Sequence, residues 1–139
     1  MDKLQQLKRL LLTGVLLSED SFTNNDADFI LDGREMDVFD SEWIRNYNKI
    51  RKNENLKTPE VKELVDSIRE ISYKSTYKAT QSSDLAGYIS DDFGLIAEAL
   101  LIDYNDNWVN ALAYHYVEGK IPHSVLEPLK GQLYEIVLK

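Results

Sequence analysis

The chain has 139 residues, no cysteine and a formal net charge of −8 at pH 7. That is the size of one domain, expected to span residues 1–139. The missing cysteines exclude a disulfide framework, a thiolate metal site and a cysteine nucleophile, and they fit a reducing cytoplasm. The acidity excludes nucleic acid as a partner over most of the surface, because phosphates would be repelled.

Residues 2–17 read as an amphipathic helix, with Leu4, Leu7, Leu11 and Val15 on one stripe. The run Leu10–Leu17 is apolar enough to resemble a leader segment. Lys8 and Arg9 continue the helical spacing into it, however, and Ser18-Glu19-Asp20 is a poor cleavage site. No run reaches the roughly 18 apolar residues that a membrane span needs. The expectation is a cytoplasmic protein without a membrane partner.

Residues 19–42 carry nine acids (Glu19, Asp20, Asp26, Asp28, Asp32, Glu35, Asp37, Asp40, Glu42) and one base, Arg34. Phe29-Ile30-Leu31 and Met36–Phe39 flank the turn signal Asp32-Gly33, so a small hairpin, an ordered loop or a short helix fits here. Asn24–Glu35 also has part of the ligand spacing of a calcium loop, with Asn24, Asp26, Asp28, Asp32 and Glu35 at its positions 1, 3, 5, 9 and 12. Its position 6 needs glycine for a sharp turn and holds Phe29. The reading is therefore an acidic loop and no metal site.

Asp40 is the expected N-cap of a helix over about 41–52, burying Trp43 or Ile44, Tyr47 and Ile50. Thr58-Pro59-Glu60 starts a helix that runs to about Thr80. Residues 43–78 are the basic block, with nine bases against five acids. On the long helix Val61, Leu64, Val65, Ile68, Ile71, Ser72, Ser75 and Ala79 share a face. Its small residues point to a close helix–helix approach.

From Ala79 to Gly119 there are seven acids and no Lys or Arg. An unbroken helix from Ser83 would place Asp92 in the middle of an apolar face, where a carboxylate is costly without a partner. The sequence therefore favours a break at Ser90, with Asp91 and Asp92 in a new first turn. Asp103–Asn107 is a turn and cap cluster. Trp108, Val109, Leu112, Ala113 and Tyr116 then form a helix face that ends at Gly119, with Tyr114 pointing away. A last helix is expected over about 124–137, with Pro128 in its first turn.

The fold class these patterns give is all-α, a compact arrangement of about five to seven helices built from αα-hairpins. Catalytic parts are missing. There is no nucleophile elbow, phosphate loop or dinucleotide fingerprint. His115 and His123 lack a third converging ligand. Neither an enzyme nor a cofactor is expected.

With its blocked acidity, its tyrosines beside acidic turns and its lack of catalytic parts, the chain resembles bacterial immunity proteins against nuclease-type toxins. The resemblance lies in composition and in the clusters Asp91-Asp92 and Asp103-Tyr104-Asn105-Asp106. It implies an inhibitor that masks a basic surface of a partner protein. The expected contact residues are Asp91, Asp92, Asp103, Tyr104, Asp106 and Tyr114. The alternative is a small helical enzyme or a metal-binding regulator using residues 24–35.

Overall fold

A computed structural model describes residues 2–23 and 26–139. Among them are seven α-helices, two short 3-10 helices and no strand. The α-helices are α1 (Asp2–Leu12), α2 (Ala27–Arg34), α3 (Asp37–Ile50), α4 (Pro59–Thr80), α5 (Ser83–Leu101), α6 (Asn107–Val117) and α7 (Leu133–Leu138). The all-α expectation is met.

The architecture is a ring of helices around α5. Every residue from Asp92 to Leu100 is buried, and each of the other six helices packs against α5. A helix apolar on all sides is stable only when it is covered on all sides. Ile89, Phe93 and Ile96 are each no more than 1% exposed, and burying such a side chain contributes roughly 1.5–3 kcal/mol.

The most extensive packing is between α4 and α5, an αα-hairpin turned by Gln81 in the left-handed conformation (φ 59°). Its caps follow the expected chemistry. The Thr58 hydroxyl accepts from the Val61 amide, with Pro59 at the first position of α4. The Ser82 hydroxyl accepts from the Leu85 amide. Ser72 and Thr76 are fully buried on α4, and Ser90 Oγ on α5 donates to the Arg69 carbonyl at 3.1 Å. Small side chains thus bring the two backbones close, while Ser75 is only half-buried and Ala79 is exposed.

Several expected boundaries move. α1 stops at Leu12, with Gly14 at φ 76°, and leaves Val15 exposed. Of the forms open to the Asp32-Gly33 region, the short helix is the one found. Asp26 accepts from the Asp28 and Phe29 amides and caps α2, which runs through Asp32-Gly33. Asn24, the first position of the calcium-loop spacing, lies outside the described residues. α3 begins at Asp37, four residues before the expected start, and buries Phe39, Asn46 and Ile50 while Ile44 is exposed.

The expected break at Ser90 does not occur, because α5 is continuous from Ser83 to Leu101. The last helix is much shorter than 124–137. Pro128 and Gly131 (φ 131°) fall in a non-helical segment, and only Leu133–Leu138 is helical.

Candidate functional site

Asp92 is 0% exposed and receives four donors. Arg34 binds it with both guanidinium ends, Nη1 to Oδ2 and Nη2 to Oδ1, each at 2.6 Å. Trp43 Nε1 donates to Oδ1 at 2.9 Å, and the Tyr116 hydroxyl donates to Oδ2 at 2.5 Å. The guanidinium also lies 4.5 Å from the centre of the Phe39 ring and reaches the Pro122 carbonyl at 3.3 Å. Burial alone would lower the Arg34 pKa, but Asp92 outweighs it and the net shift is upward. Burial, reinforced by Asp92, holds the Tyr116 phenol well above its ordinary value.

This pair ties α2, α3 and α6 to α5. It also corrects the expectation for Asp92. Both carboxylate oxygens are occupied and sealed from solvent, so Asp92 is a buried core group and not part of the exposed surface. The missed partner, Arg34, had one sign in the sequence: it is the lone base in an acidic block.

α3 separates two hollows. Val38, Glu42 and Arg45 lie on one of its flanks, and Trp43, Tyr47 and Arg51 on the opposite flank. The second flank walls a groove of about 540 Å³ whose far wall is α4 and whose floor is Asp91, Gly94, Leu95 and Glu98 of α5. Trp43 and Tyr47 stack at 5.4 Å, and Arg51 lies over the Tyr47 ring. Four charges of the groove pair internally, Arg69 with Asp91 at 2.6 Å and Arg51 with Glu98 at 3.4 Å. Burial raises the pKa of both carboxylates, and their arginines oppose the shift.

The remaining expected contact residues are dispersed. Asp91 lies in the groove just described. Asp103 is exposed after α5 and pairs with Lys3. The Tyr104 hydroxyl donates to Asn46 Oδ1 at 2.6 Å. Asp106 caps α6 through the Trp108 and Val109 amides and accepts from Arg45 at 3.1 Å, in the other hollow. Tyr114 is 40% exposed on α6. Asp103, Tyr104 and Asp106 share one turn, whereas Asp91 and Asp106 line different hollows.

The family model of immunity protein PIM1 matches residues 6–123. The chain belongs to the immunity protein PIM1 family. No curated protein matches it. The match runs from α1 through α6 to the Pro122 carbonyl that Arg34 reaches, so it takes in the whole Asp92 cluster. An immunity-type inhibitor works by binding a toxin. Among the described residues no group of three or more His, Asp or Glu is arranged to hold a metal ion, and no helix is long and apolar enough to cross a membrane.

Proposed function

We propose that this immunity-family protein neutralises its toxin by binding rather than by catalysis, and that the toxin surface it covers is basic, as the substrate face of a nuclease is. The observation that carries the reading is the family match over residues 6–123. The net charge of −8 supports the basic character of the partner, since opposite fields steer encounter and fix orientation. The alternative built on residues 24–35 loses its loop, because Asp28 and Asp32 stand on a helix capped by Asp26.

The test is co-expression of the chain with the toxin encoded beside its gene. Growth should be protected, and the purified proteins should associate at a rate that falls as salt is raised. Absence of both protection and binding overturns the inhibitor reading. Protection with a salt-independent association rate overturns only the basic-surface part.

A further inference from the structure

The corner where α2 meets α3 and the segment after α6 exposes four large apolar side chains. Phe29 is 66% exposed, Met36 44%, Val38 45% and Val125 71%. Phe29, Val38 and Val125 are joined into one patch, with Met36 two residues before Val38. The Phe29 ring meets His123 edge-on at 5.5 Å, and the Ser124 amide donates to the Gly33 carbonyl at 3.1 Å, which holds this segment against α2. Val38 and Val125 line the same hollow. Scattered single apolar residues are ordinary on a surface, but a contiguous patch rimmed by charge has the layout of an interface core.

The α2 side of the rim is acidic, and on the α3 side the cation Arg45 is paired with Glu42 at 2.7 Å and Asp106 at 3.1 Å. Asp28, Asp32 and Glu35 recur at spacings of four and three along the outward side of α2, and Asp37 and Asp40 follow at the start of α3; all five are exposed. The one base between residues 19 and 42, Arg34, is turned inward and consumed by Asp92. The patch is thus bordered along α2 and the start of α3 by carboxylates that no cation of their own stretch offsets.

The tyrosine pair on α4 and the groove between α3 and α4 lack this combination. Tyr73 and Tyr77 stack on α4 beside Lys74 and Lys78, and the groove between α3 and α4 pairs both of its arginines with its own carboxylates. The inward pull of Arg34 on Asp92 also fixes α2 on α5, so the patch is presented on a rigid element. A preorganised surface of this kind loses little freedom on binding.

We infer that the outer face of α2 is the docking surface, and that its occupant is a basic face of the toxin with an apolar pocket that takes Phe29. This rests on the inhibitor reading above. The aromatic at the centre sets the lifetime of the complex and the carboxylate rim sets its rate of formation.

The experiment uses the full chain and the toxin from the co-expression assay, with association and dissociation rates followed at low and high salt. Phe29→Ala should speed dissociation about tenfold or more. Asp28→Lys combined with Asp32→Lys should slow association about tenfold at low salt, with the difference shrinking at high salt. Tyr73→Ala and Tyr114→Ala should bind as the wild type does. All these side chains are exposed, so unchanged circular dichroism and melting show that the variants are folded.

The inference is overturned if the wild type protects and binds while the α2 variants match it. It is equally overturned if binding is lost instead through Trp43→Ala or Tyr73→Ala in folded protein. If the wild type neither protects nor binds, the inhibitor reading falls and takes this surface with it.

Discussion

At the level of single residues, the Arg34–Asp92 pair shows how a buried charge becomes tolerable. Taking either ion out of water is costly, and the pair survives because Trp43, Tyr116 and two carbonyls complete its hydrogen bonding. Removing one partner leaves the other charge stranded. Arg34→Met or Asp92→Leu alone should cost about 3–5 kcal/mol, whereas the double variant should cost less than the sum of the two. Urea denaturation of the three proteins measures this; strict additivity would show that the pair is not the coupling element. Glu98 makes a pH prediction. Burial raises its folded pKa above the ordinary 4.5, against the pull of Arg51. The folded state then holds this proton more tightly than the unfolded chain does. The stability it contributes is full below the unfolded value and is lost as pH rises through the folded one. Between about pH 4 and pH 7 the wild type should lose stability relative to Glu98→Gln, and melts at the two pH values should show that relative decline. A parallel pH dependence in the two proteins would contradict it.

At the level of elements, two glycines in helices give opposite predictions. A Cβ on Gly33 would run into Ser124 Oγ and lie 2.7 Å from His123 Nδ1, so Gly33→Ala should push the 123–125 segment off α2 and destabilise by about 1–3 kcal/mol. Gly87, inside α5, has nothing within 4 Å of the same position. Gly87→Ala should therefore stabilise by about 0.5–1 kcal/mol through helix propensity. Denaturant melts read both signs. The same elements show what was legible in the sequence. α4 and α6 were, because their caps and apolar stripes are local signals, and the burial of Trp108, Val109, Leu112 and Tyr116 follows the stripe. The continuity of α5 was not, because the partner that makes a mid-face Asp92 affordable lies 58 positions away. Nor was the end of the chain. Leu126, Leu129 and Leu133 have helical spacing, yet the Asn110 side chain holds the Leu129 and Gly131 carbonyls, and the first two leucines pack from non-helical chain. For the candidate site, the sequence exposed the acidic blocks. It could not show that Arg34 would turn inward and leave the α2 block without an exposed base.

At the level of the whole molecule, the fold has one dependence that its layout imposes on its own synthesis. The helix that all others lean on begins only at Ser83. On the ribosome, α1 to α4 emerge with α1 able to pack on α4 but with the α5-facing side of every stripe uncovered, and at about 5–20 residues per second α5 needs a second or more to follow. During that interval the nascent chain offers its leucines to chaperones or to aggregation. A fragment of residues 1–82 should accordingly keep partial helicity but melt without a cooperative transition, as followed by circular dichroism on heating; a sharp transition would show that α1–α4 form a core unaided. A protective protein whose centre is made this late is ready only after most of its chain exists, so the toxin it answers to must be met by finished copies and not by nascent ones.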